Sequence, residues 1–339
     1  MRILTPTRLL RVFVFSMAGA LFAAACQADD HAAVFKAKLD AYHYFEPNLA
    51  LPLPARVQTM PDESLQSIIA FDRSIGIANT DYKPRTATPA DIALFAEYVA
   101  LLPKHYQTVL SNKLMAVHFV DNFAGAGLTD WYVDQRGEVY YYMILNSALL
   151  TESLDDWLTY RENSYFTQAP ESYRVRVRTG TEYKALLYGL LHEGGHIVDY
   201  EGNVSPYLDP VHKKKINAGE TSDFTGGIWQ SHKTPVDEYD FKNRDRLNVY
   251  GIFSDKPLVP AEELPGMFTQ LARTPFVSFY AGTAWHEDFA DLVTYYHVEK
   301  KLGGEVVVEL LRDDRIVDSL LPAKRGLDGV RLKILKDLY

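Results

Sequence analysis

The sequence predicts an α+β protein. Runs rich in β-branched and aromatic residues cluster between 115 and 146 and read as strands. Runs with helical apolar spacing stand apart from them, at 181–200 and 283–302. The 339 residues are 47% hydrophobic and 23% charged, the balance of a chain that folds around a core. That composition excludes a disordered, collagen-like or coiled-coil chain. The length suits one large domain or two.

Residues 1–11 carry Arg2, Arg8 and Arg11 and no acid, and VFVFSMAGALFAAA (12–25) is apolar and ends in small residues. This is the pattern of a secretory signal peptide, too short for a membrane span. Cys26, the one cysteine, follows directly. A single cysteine excludes an internal disulfide and a multi-cysteine metal site, so a metal centre here must draw on His, Asp and Glu. The position of Cys26 resembles the lipobox of bacterial lipoproteins, with Ala23 where that pattern prefers Leu. Gln27 resembles the lipoproteins sent to the outer membrane. The resemblance implies a lipid anchor on Cys26, an outer-membrane location facing the periplasm or the cell surface, and no other membrane contact. The alternative is cleavage nearby, as after Ala28, and a soluble periplasmic or secreted chain. The formal charge of −9 argues against nucleic acid as a partner. The expected organisation is a signal peptide over 1–25, a mainly helical N-terminal segment over 26–110 and a main domain over 111–339 with a loop-rich insertion at about 201–275.

Taken in order, the proline-bearing stretch 30–61 reads as an extended lead-in, and Asp62-Glu63 open a helical stretch to about Ile75. Thr88-Pro89-Ala90-Asp91 is an N-cap with Pro at the first helical position, continued by Ile92, Phe95, Val99 and Leu102. MAVHFV (115–120) reads as a buried strand. WYV (131–133) and EVYYYMILN (138–146) read as a hairpin about the turn Asp134–Gly137. The second of these strands is the expected sheet edge beside a cleft, to which a peptide could add itself as a further strand. Thr181 to about Tyr200 reads as a helix with Leu186, Leu187, Leu190, Leu191 and Ile197 on one face, and 283–302 as another that stops at Gly303-Gly304. GEVVVELL (304–311) fits a helix or a strand.

The first of these two helices carries LLHEGGHIVDY, in which His192, Glu193 and His196 form H-E-x-x-H. Residues four apart lie on one helix face, so both imidazoles can reach one ion, with Glu193 beside it. Such sites bind zinc through three protein ligands and a water, whose pKa the ion lowers to about 7. Glu193 can take that proton and pass it to a leaving amine. Gly194 and Gly195 each cost about 1 kcal/mol relative to Ala in mid-helix. They fit a place where a backbone or a substrate approaches closely. A metzincin third ligand would need His at 202, which is Gly202. The other source is a carboxylate from the later helix. Glu287 and Asp291 are four apart and share a face, Glu287 as ligand and Asp291 orienting a ligand imidazole through its free ring nitrogen. The run Lys213-Lys214-Lys215 reads as a solvated loop, and His212, His232, His286 and His297 as surface or packing residues.

HEGGHIVDY (192–200) and YAGTAWHEDFAD (280–291) resemble the catalytic core of the anthrax lethal factor-like gluzincins. The resemblance implies a zincin-like fold, one Zn2+ per chain held by His192, His196 and Glu287, Glu193 as base and Tyr280 as oxyanion donor, with Asp291 and Asp199 supporting the ligands. Glu287 stands 91 positions after His196, more than the family's usual spacing, which places a lid or specificity loop within 201–275. The expected function is a zinc-dependent endopeptidase acting on peptides or proteins. The alternatives are a non-catalytic binding lipoprotein on a metallopeptidase fold and a hydrolase of cell-wall peptide crosslinks.

Overall fold

A computed structural model describes residues 48–134, 136–168, 172–206, 222–322, 327 and 329–339. The signal sequence, Cys26, His212 and Lys213-Lys214-Lys215 lie outside these residues. The elements run α1 (Asp62–Ser74), β1 (Lys83–Arg85), α2 (Pro89–Leu101), α3 (Lys104–Lys113), β2 (Leu114–Asp121), β3 (Gly127–Val133), β4 (Val139–Asn146), α4 (Leu154–Asn163) and β5 (Arg174–Arg178). They continue as α5 (Leu186–Gly202), β6 (Trp229–Ser231), β7 (Thr234–Pro235), α6 (Leu264–Leu271), α7 (Trp285–Lys300), β8 (Val307–Arg312), β9 (Arg315–Leu320) and α8 (Gly329–Asp337). The chain is α+β. Among the described residues no helix is long and apolar enough to cross a membrane.

The main sheet has the order β1-β2-β4-β3. β4 runs parallel to β2 and antiparallel to β3. The edge beside the cleft is therefore β3, not the strand at 138–146. Tyr141 to Leu145 of β4 are all buried, the continuous apolar run of a strand covered on both faces. The hairpin supplies its partner on one side and β2 fills the other. β3 also starts at Gly127, earlier than the apolar residues alone indicate, because its outer face looks onto a helix and a cleft.

The sheet is packed on both sides. Leu65 and Ile68 of α1 join Ala116, Val120 and Ile144 on one face. Val117, Phe119, Met143 and Leu145 meet α3 and α5 on the other, where Tyr106 and Leu110 share a core with Leu187 and Leu191. The capping box at Thr88 forms as the sequence expects, with Thr88 Oγ1 accepting from Asp91 N–H. α5 starts at Leu186 and ends at Asn203, whose φ of 50° is the left-handed stop of the helix. GEVVVELL supplies β8, the middle strand of a second sheet ordered β5-β8-β9. Within 201–275, the described residues contain the short β6–β7 hairpin and the helix α6 as well as loops.

Candidate metal centre

Every residue of α5 from Leu186 to Asp199 is buried. Two imidazoles and a carboxylate on such a helix need partners or a ligand. α7 crosses α5 closely. A Cβ on Gly195 would lie 3.2 Å from Ala290 Cα and 3.2 Å from the Tyr106 hydroxyl. The mid-helix glycine is thus where the second helix's backbone comes in, and that crossing brings the first turn of α7 over His192 and His196.

There His192 Nε2 lies 3.0 Å from Glu287 Oε2, and His196 Nε2 lies 3.5 Å from the same oxygen. The three donor atoms are all within 4.8 Å of one another, and the group could hold a metal ion. The donor set fits one. Two ring nitrogens and a carboxylate oxygen converge, the ligand chemistry of a divalent transition metal. His192 Nδ1 donates to Asp291 Oδ1 at 3.0 Å, which holds the ring with Nε2 facing the site. His196 Nδ1 has no partner among the described residues. Asp199 does not hydrogen-bond to it. It binds the N–H and hydroxyl of Ser205, each at 2.6 Å, and so ties down the end of α5.

The electrostatics follow from the crowding. Burial opposes charge on His192, but Asp291 and Glu287 outweigh it and pull the imidazole up to about 10. Burial likewise opposes ionisation of Glu287, yet His286 and His196 hold its carboxyl well below the usual range. Glu193 is raised by burial, with His196 and His192 acting the other way. Its side chain lies against β3, where a Cβ on Gly127 would come within 3.0 Å of Glu193 Cγ. Thr129 Oγ1 of the same strand donates to the Glu193 carbonyl at 2.9 Å. Tyr280 stacks on the His192 ring at 5.3 Å and 15°. Burial raises its phenol well above the ordinary value, so the hydroxyl keeps its proton.

Two spare histidines are part of the site rather than surface or packing residues. His286 Nε2 reaches Glu287 Oε1 at 3.3 Å, and His232 Nε2 meets His286 Nδ1 at 2.9 Å. The tautomers follow: the carboxylate accepts from His286 Nε2–H, so Nδ1 accepts from His232 Nε2–H. The β6–β7 hairpin puts His232 there by accepting the Trp285 N–H on the His232 carbonyl. His297 is a packing residue, donating from Nε2 to the Leu101 carbonyl at 3.0 Å. Asp288, next to the ligand, is buried against Arg331 of α8 and Trp229 Nε1–H. Arg161, Glu162 and Ser278 also enter the site through Asp291 and the 278–281 loop, and no motif marks them.

The site opens into a cleft with two lobes of about 650 and 330 Å3 that meet at Tyr280, His286 and Glu287. β3 forms one wall. The Asn146 N–H donates to the Ala126 carbonyl, which sets the even residues of β3 to bond β4. The backbone groups of Gly127 and Thr129 therefore point away from β4, toward the cleft. Compared with protein-family models, curated proteins and solved structures, the chain matches none.

Proposed function

We propose that the protein is a zinc-dependent endopeptidase of the gluzincin type on a zincin-like fold, exported and tethered through a lipid on Cys26. The observation that carries this reading is the convergence of His192, His196 and Glu287 with Glu193 at the mouth of a cleft. His192, His196 and Glu287 would hold the ion. A zinc ion bound there supplies a water of lowered pKa and polarises a carbonyl. Glu193, with its raised carboxyl, takes a proton from the attacking water and gives it to the leaving amine. The Tyr280 hydroxyl donates to the oxyanion of the tetrahedral intermediate. The β3 edge holds the peptide as an added strand, with the Gly127 and Thr129 backbone groups as its partners.

The test is elemental analysis of the fragment from Gln27, paired with cleavage of fluorescein-labelled casein. The expected result is one zinc per chain, lost in Glu287→Ala, and cleavage that Glu193→Gln abolishes while keeping the zinc. No metal after zinc is supplied overturns the reading. Zinc without cleavage moves the protein to a non-catalytic binding role.

A further inference from the structure

The larger lobe of the cleft holds a charged group that the proposed chemistry does not use. Arg244 lies in its wall and is only 5% exposed. Its Nε donates to Asp240 Oδ1 at 2.6 Å and its Nη1 to the Gly282 carbonyl at 3.1 Å. Its Nη2 has no hydrogen-bond partner among the described residues. That nitrogen is open to the cleft rather than enclosed by protein, so the guanidinium can take a ligand there without giving up a bond. Gly282 lies between Tyr280 and Glu287, so the Gly282 contact fixes Arg244 to the loop that carries the site.

The charge of the two lobes differs. Lys233 and Lys256 line the Arg244 lobe, and the acids there are Asp245 and the ligand Glu287. Among the described residues the smaller lobe has no lysine or arginine in its wall, which includes Phe71, Trp131 and Tyr200 with Asp130. The basic side chains of the cleft thus gather in one arm, balanced there by Asp240, Asp245 and Glu287, and the other arm is aromatic.

We infer that Arg244 receives a carboxylate of the bound peptide, on the C-terminal side of the bond that is cut. This rests on the peptidase reading above. A planar guanidinium held at two corners presents the rest of its fork to a carboxylate, a geometry that lysines at the rim do not offer. The direction comes from β3. Ala124 and Gly125, just before the strand, line the Arg244 lobe, whereas Thr129 and Trp131 line the aromatic lobe. A peptide paired antiparallel to β3, the slightly more stable pairing, runs the other way and lays its C-terminal half in the Arg244 lobe. The carboxylate is either an Asp or Glu side chain or the chain's own C-terminus.

The test uses zinc-loaded Glu193→Gln protein, so that peptides bind uncut, and reads fluorescence anisotropy. The probes are a fluorescein-labelled decapeptide pool that lacks Asp and Glu and is amidated at its C-terminus, the same pool with a free C-terminus, and the amidated pool with a single Glu fixed in its C-terminal half. At least one carboxylate pool should bind about tenfold more tightly than the neutral pool. Arg244→Gln should erase the difference, and Arg244→Lys should restore part of it. Preference for the free C-terminus assigns capture of chain ends, and preference for Glu assigns an internal acid. Equal binding of the three pools, or none, overturns the inference without any variant at Arg244. So does a preference that survives Arg244→Gln, or one lost only in Lys233→Ala with Lys256→Ala. Failure of the peptidase reading shows separately, as wild-type protein with zinc that cuts none of the pools.

Discussion

Arg161 and His192 meet on one oxygen: Nη1 of the arginine and Nδ1 of the histidine both donate to Asp291 Oδ1, at 2.9 and 3.0 Å. Burial alone would raise the Asp291 carboxyl, but the guanidinium and the imidazole hold it below the usual range. The same guanidinium donates from Nε and Nη2 to Glu162 Oε1, and Glu162 Oε2 accepts the Phe279 N–H at 3.1 Å. Ser278 Oγ donates to the other Asp291 oxygen. One buried arginine thus joins the support of a metal-site imidazole to the loop that carries Tyr280.

Removing that carboxylate's charge should loosen the metal without unfolding the chain. Asp291→Asn is expected to weaken zinc binding about 10- to 100-fold, the usual effect of losing such an outer partner. Competition with a chromophoric chelator measures it. Unchanged affinity would mean that Asp291 serves packing only.

Arg161 is fully buried, and Arg161→Leu takes from the Asp291 and Glu162 carboxylates the guanidinium that both share. Breaking a buried pair from one side costs about 3–5 kcal/mol. Urea unfolding should show a loss of that size. A loss under about 1 kcal/mol would count against the network.

Tyr280→Phe keeps the ring on His192 and removes only the hydroxyl. Casein cleavage should fall about 100- to 1000-fold, as for an oxyanion donor, with zinc content unchanged. A parallel loss of zinc would instead assign the hydroxyl to holding the site together.

Outside the candidate metal centre, His118 in β2 is fully buried and donates from Nδ1 to the Gln58 carbonyl. Burial depresses it to about 4, with the Gln58 bond pulling the other way. The unfolded imidazole protonates near 6.5. Between those values the unfolded chain takes up a proton that the folded chain refuses, so stability falls as pH falls from about 6.5 toward 4. The loss approaches ~3 kcal/mol. His118→Gln should flatten the urea midpoint against pH across that window, and an identical slope in both proteins would refute the assignment.

The α+β class, both helices of the site and the hairpin are readable from apolar spacing, because helix and strand periods are local properties of the chain. His192, Glu193, His196, Glu287 and Asp291 are readable for the same reason, since i, i+4 spacing on a helix sets which side chains share a face. What lies beyond one element is not. The edge position of β3 depends on which strand β4 pairs with after the hairpin is made. Arg161, His232 and Arg244 stand on other segments, with no spacing that links them to the motif. Asp199 has the motif spacing, yet the loop after α5 offers it Ser205 instead of His196. The H-E-x-x-H pattern and its partner helix name the candidate ligand residues unaided. The crossing of α5 and α7 at Gly195, and the loops packed around it, decide what surrounds those ligands, because contacts between distant segments are settled by packing and not by periodicity.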